Sequence, residues 1–314
     1  MIGDNFVPIP TPRKYPKHPR FLTLLILTTG SLLISGQSQA DTAQFWSHWA
    51  DGKAEVSGYT LTQPRYGQSR RGHAILIYVT EPFSLKKQVK VDRYQPKNPD
   101  HITALKLNFV RKFQTGVYDY SVMTSVFVDP QDSMRPLKVS FSSQEWCGQV
   151  YEEASFGPRS VKVETKSYFQ DESRNSVLPG VVDSEDAFWI SARGLTKNGP
   201  GQFTGEKQFL GNATLRRLRH LNASPARSNL AWSSTQKITV PAGDFEVRSM
   251  SWQRQDSVTC TLDVEMPAPH RIVRWHCKDG EKAELTGTRR MPYWQLSREG
   301  DEEKLKALGL TEPR

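Results

Sequence analysis

From Glu55 to Phe169, and again from Ile238 to Arg290, apolar and β-branched side chains recur at every second position. That period of two commits most of the chain to strands, because alternate residues of a strand face opposite sides of a sheet. Ala74–Val79 departs from alternation. It is a continuous apolar run between Arg70-Arg71-Gly72 and Pro82, which predicts a central strand covered on both faces. Leu105–Val110 alternates, Val117–Phe127 is β-branched and aromatic, and Leu137–Val150 and Ser160–Phe169 read as further long strands. Helical signals are few: Asp41–Gly52, a Ser184-capped stretch through Ile190 ending before Gly194, and Glu302–Leu308 ending at Gly309. Ten or more antiparallel strands with few short helices predict a mainly β fold, one large, strongly curved antiparallel sheet or open barrel.

Two hairpins are specific enough to carry a register. Folding Cys260–Cys277 about Pro267–His270 sets Cys260 opposite Cys277, Leu262 opposite Trp275, Val264 opposite Val273 and Asp263 opposite Arg274. Apolar alternation, charge pairing and cysteine juxtaposition agree in that one register, and directly opposed cysteines come within disulfide range. A Cys260–Cys277 disulfide is therefore expected. Ile238–Val247 predicts a second hairpin, with Val240 opposite Phe245 and Ile238 opposite Val247 around a four-residue loop.

The first forty residues read as an export signal. Arg13, Lys14, Lys17 and Arg20 precede an apolar segment from Phe21 to Ile34, and Ser38-Gln39-Ala40 offers small residues for cleavage. The apolar segment is short for a spanning helix, which needs about 20 such residues. The expectation is a mature domain of residues 41–314, single and β-rich, in the periplasm, with no transmembrane segment after cleavage. A subdivision near Gly180 is compatible with the pattern. Gly36 stands where a lipid-modified cysteine would be expected, which favours a soluble exported protein. The formal charge of +9 falls to +6 once the four cations and one carboxylate of residues 1–40 are removed. That excess fits either simple solubility or attraction to anionic envelope surfaces. With no basic run longer than two residues, nucleic acid is not an expected partner.

Site chemistry is sparse. Gln63–Gly72 gathers Arg65, Tyr66, Arg70 and Arg71 in a turn between strands, where they could bind a carboxylate or phosphate or simply form a solvated tip. Glu81 and Glu145 are carboxylates in apolar surroundings. They form an acid/base pair only if one cleft holds both, and an ion pair with Arg65 or Arg71 is the commoner outcome. Cys147, beside Trp146, is the odd cysteine; burial as a small apolar side chain is expected, with a nucleophile or an intermolecular bridge as alternatives. The histidines lack metal-ligand spacing, and no cofactor motif occurs, so neither metal nor cofactor is expected. Trp146, Trp189, Trp232, Trp252, Trp275 and Trp294 either fill a core or line a cavity for an acyl chain.

The string Tyr59–Phe83, with Leu105–Asn108, Thr115–Ser121, Met123–Ser125, Gln144–Gly148 and Ser167–Phe169, resembles a bacterial family of exported, often lipid-anchored proteins of unknown function. Some of its members carry the name septum formation inhibitor Maf. Thr239–Phe245 and the meander after it are similar to the LolA-like lipoprotein-carrier class of periplasmic β domains, which implies a curved sheet wrapped around a helix. Together these features lead to an expected periplasmic protein that binds a lipid, another amphiphile or an envelope protein without catalysis. The alternatives are an envelope hydrolase using Glu81, Glu145 or Cys147, and a structural assembly protein.

Overall fold

The computed structural model describes residues 43–197 and 199–310; the expected export signal and cleavage point lie outside them. A helix over 43–49, α1, precedes β1 (Ala54–Arg65), β2 (Gln68–Ser84), the short β3 (Val89–Lys90) and β4 (His101–Thr115). The meander continues through β5 (Tyr118–Asp129), β6 (Arg135–Glu145), β7 (Gly148–Phe156), β8 (Ser160–Ser167) and β9 (Arg174–Pro179). After a 3-10 turn (Glu185–Ala187) come α2 (Phe188–Ser191), β10 (Gly205–Leu210), α3 (Ala213–Arg219), β11 (Pro225–Trp232), β12 (Gln236–Val240) and β13 (Gly243–Gln253). The hairpin of β14 (Thr259–Glu265) and β15 (Ile272–Cys277), then β16 (Lys282–Met291) and a 3-10 helix (Asp301–Leu308), complete the chain.

All named strands belong to one sheet, ordered β10-β11-β13-β14-β15-β16-β1-β2-β4-β5-β6-β7-β8-β9, with β12 and β3 as side branches. Every strand pairing is antiparallel, and the sheet does not close on itself. The expected fold class is therefore what forms. Strands on both sides of Gly180 share the sheet, since β1 pairs with β2 on one flank and β16 on the other.

The sheet folds around α2. Phe188, Trp189 and Ile190 are buried in the main core with residues from strands on both flanks. Trp189 lies 5.5 Å from Phe109, 5.9 Å from Trp252 and 6.0 Å from Trp275, ring centre to ring centre. These tryptophans are core filling, and the face that a lipid carrier would leave open is occupied by them. The apolar run of β2 is explained by cover on both sides. Ala74, Leu76 and Tyr78 face that core, while Ile75, Ile77 and Val79 pack with Leu308 and Leu310. The C-terminal helix comes so close that a Cβ on Gly58 would fall 2.4 Å from the Leu308 carbonyl oxygen, so only glycine fits there. Among the described residues no helix is long and apolar enough to cross a membrane.

Both hairpins form, each with a correction. Cys260 is bonded to Cys277, and Leu262–Trp275 and Asp263–Arg274 pair as expected. Val264 pairs with Ile272 rather than Val273, because a bulge inserts an extra residue in β15. The bulge lets two consecutive residues, Ile272 and Val273, both be buried. In the other hairpin Val240 faces Gly243 and Ile238 faces Phe245 around the two-residue loop Pro241-Ala242. The register differs from the expected one by two positions, an even shift that leaves each side chain on its face. Leu137–Val150 is two strands turning at Trp146-Cys147, and Gln63–Gly72 is mostly strand with its turn at Tyr66-Gly67.

Candidate functional site

In a meander alternate turns fall at the same end of the sheet. The β1–β2, β4–β5, β6–β7 and β8–β9 turns therefore share one rim, which also receives the C-terminus of α3. Val117, Trp146 and Tyr168, at 79%, 71% and 67%, are the three most exposed large apolar side chains among the described residues, and Tyr66 is 55% exposed. Each occupies a different tip of these four. Tyr66 holds a left-handed conformation, φ 54°, followed by Gly67 at φ 70°, the pairing of a tight hairpin turn. Tyr168 is fixed despite its exposure, since its ring covers Gly148 so closely that a Cβ there would sit 2.4 Å from it.

Beneath the tips the polar groups are locked. Arg65 stacks 4.1 Å from the Tyr66 ring centre and donates to the Tyr120 hydroxyl at 3.2 Å and to the Leu218 carbonyl, tying the first tip to α3. The Tyr66 and Tyr120 hydroxyls are 3.1 Å apart, and Tyr120 stacks on Phe113 at 4.7 Å. Burial, reinforced by the Tyr66 hydroxyl, holds the Tyr120 phenol protonated far above its ordinary range. From α3, Arg217 pairs with Glu145 and stacks 4.2 Å over Phe169, while Arg216 pairs with Glu152. His220, which caps α3, meets Glu172 at 2.6 Å. Partial burial opposes ionisation of Glu172, yet the His220 ring and the Ser167 hydroxyl hold its carboxyl below its ordinary value. A crevice of about 40 Å³ lies among these pairs, room for a few waters. A shallow groove of about 610 Å³ runs along the outer face of β5–β8, past Met123, Ser142, Gln149, Tyr151 and Lys166.

α3 is held by the segment before α2. Asp186 accepts from the Asn212 amide side chain at 2.8 Å and the Ala213 backbone N–H at 3.0 Å. Glu185 accepts from the Asn212 backbone N–H at 3.0 Å and Trp252 Nε1 at 2.9 Å. Burial pushes Glu185 up to about 7 and Asp186 up to about 6. Folding therefore favours the protonated carboxyls. The stability they contribute is complete below their unfolded values near 4 and is lost as pH rises through about 6 and then about 7. Unfolding in urea is expected to require about 4 kcal/mol less at pH 8 than at pH 5, and Glu185→Gln to remove more than half of that slope. A wild-type profile that is flat or rises over this interval contradicts the assignment.

The sequence candidates separate into two groups. Arg65, Tyr66, Glu145, Trp146 and Cys147 come together at the rim. Glu81 does not. It pairs with Ala104 of β4, nine residues from Phe113, which aligns through Tyr120 with Glu145, so the carboxylates stand about 30 Å apart at opposite ends of the sheet. The acid/base pair is thus absent. Glu81 is bound to Lys106 at 3.2 Å, and Glu145 to Arg217 rather than to Arg65 or Arg71. Arg71 is exposed on β2, four residues beyond the turn. The expectation that Cys147 is buried is wrong: it is exposed at the β6–β7 turn, where the tight reversal leaves it no core to enter. Sequence reasoning missed α3 and its arginines, although Asn212 as N-cap and the basic last turn signal such a helix. Among the described residues no three metal-ligating side chains assemble.

No known family's sequence profile matches the chain. No curated protein matches it either. Among solved structures it is similar to a β-barrel-like protein of domain of unknown function DUF1849 from Brucella abortus. The TM-score is 0.47 at 9% identity, over 76% of this chain and 97% of that one. None of these comparisons supports the Maf or the lipoprotein-carrier name.

Proposed function

We propose that this chain is a non-catalytic binding protein of the bacterial envelope, exported to the periplasm and contacting its partner through the rim of hairpin tips. One observation carries the reading. The rim exposes aromatic and apolar side chains, while its buried carboxylates Glu145 and Glu152 are committed to Arg217 and Arg216. Exposed aromatics over carboxylates already paired with arginines suit contact, since the rings bury apolar area on binding. Cys147 fits the same reading, because among the described residues its thiol has no hydrogen-bond partner to activate it.

The test is retention of the mature chain on its host's isolated envelope fraction. Trp146→Ala/Tyr168→Ala is expected to lower retention about tenfold or more, as truncation of two anchoring aromatics does at an interface. Its thermal midpoint should stay within about a degree, because exposed side chains contribute little to stability. Equal retention of the double variant and the wild type would remove the rim from the account.

A further inference from the structure

We infer that the partner of the rim is the interfacial layer of an anionic lipid bilayer, with the aromatic tips entering it and the β1–β2 arginines resting on its headgroups. The inference rests on the rim-binding reading and gives it an occupant.

Geometry is the first argument. The four tips belong to successive hairpins, two strands apart, so neighbouring tips are spaced by about 10 Å and the row extends for about 30 Å. A protein partner would favour a contiguous apolar patch with a dry centre. A row of aromatic tips along the end of a rigid sheet instead matches a planar surface. Side-chain type is the second argument: Tyr66, Trp146 and Tyr168 are the residue types that sit at headgroup depth, apolar ring inward and polar edge toward water.

Charge is the third. Between Glu55 and Glu81 the chain has no carboxylate, and Arg65, Arg70 and Arg71 all fall near the β1–β2 tip. Lys112, exposed on β4 opposite His73 of β2, extends the cationic strip. Arg65 is held in place by Tyr120 and Leu218, so its charge stays at the rim. Elsewhere on the rim Lys166 is paired with Glu164, and the exposed carboxylates Asp119 and Asp171 lie at the β4–β5 and β8–β9 tips, away from the arginines. The cationic excess is thus concentrated at one end of the aromatic row, an arrangement that would orient the molecule on an anionic plane.

The chain carries its own reporter. Cys147 sits beside Trp146 and is exposed, whereas the other two cysteines are bonded to each other. A polarity-sensitive fluorophore on Cys147 of the mature chain should brighten and shift to the blue on mixing with phosphatidylglycerol/phosphatidylcholine vesicles. The same label on Gln131→Cys in a Cys147→Ser background, at the opposite end of the sheet, should not respond. Arg70→Gln/Arg71→Gln is expected to weaken vesicle partitioning by up to about thirtyfold, roughly fivefold for each cation near an anionic surface. Raised salt should mimic that loss, and Trp146→Ala should weaken partitioning without altering its salt dependence.

No partitioning at any anionic lipid content, or an equal response at both label positions, overturns the inference. If Trp146→Ala/Tyr168→Ala still loses retention on the envelope fraction in that case, rim binding survives with a different partner. If retention is also unchanged, both readings fall together.

Discussion

Arg193→Met should be among the most damaging single substitutions available to this chain, lowering the unfolding free energy by about 3–5 kcal/mol. Arg193 follows α2 and is fully buried, as is its partner Glu55 on β1. Its guanidinium meets the two carboxylate oxygens at 2.8 and 3.0 Å. It also donates to the Pro269 carbonyl at 2.8 Å and the His270 carbonyl at 2.9 Å. The same group lies 4.3 Å from the centre of the Tyr78 ring, so one side chain joins α2, β1, β2 and the β14–β15 turn. Methionine fills most of the volume but leaves a buried carboxylate and two carbonyls without donors, the costly half of breaking a buried pair. Adding Glu55→Leu to Arg193→Met should recover much of the loss by removing the stranded charge. Urea unfolding of the three proteins decides the matter. A loss under about 1 kcal/mol for Arg193→Met, or no recovery in the double variant, would mean that water reaches Glu55 and that the ion network does not hold α2 in the sheet.

The interlock explains the limits of reading this fold from its sequence. Alternation gave the sheet because strands have a local period, and the Cys260–Cys277 register was legible because three signals within one hairpin agreed. Arg193 and Glu55 are 138 residues apart, and no local pattern joins them. For the same reason no local pattern shows that Arg216 and Arg217 are buried against carboxylates 64 and 72 residues earlier in the chain. The bulge at Val273 and the two-residue shift at Pro241 concern single positions, where packing decides between registers of similar local merit.

The rim was closer to legible. Tyr66, Val117, Trp146 and Tyr168 occupy alternate turns of the meander, so counting strand reversals places all four at one end. Reading Leu137–Val150 as one strand removed a reversal from that count and hid the convergence. It also left Cys147 inside a supposed strand, where burial was the natural expectation. The same count separates Glu81 from Glu145, because an even number of reversals lies between the start of β2 and the start of β7, and Glu81 is near the far end of β2. Strand boundaries, more than strand existence, determined which site residues could be grouped.

The disulfide should contribute the next largest share of stability that can be assigned to one feature. Cys260 and Cys277 are separated by 17 residues and clip β14 to β15 next to Trp252 and Trp275 in the core. Closing a loop of that length in the unfolded chain is worth about 3 kcal/mol in the chain-entropy account. Cys260→Ala/Cys277→Ala is therefore expected to unfold about 3 kcal/mol earlier, and reductant to shift the wild type by a similar amount while leaving the double variant unmoved. Native alkylation should label Cys147 alone, with the other two thiols appearing only after reduction and unfolding. Equal labelling of all three without reductant would show an open pair. If the wild type and the double variant unfolded together under oxidising conditions, the clip would be redundant with the pairing of Asp263 and Arg274 and the burial of Leu262, Ile272 and Val273, and the hairpin would owe its stability to packing alone.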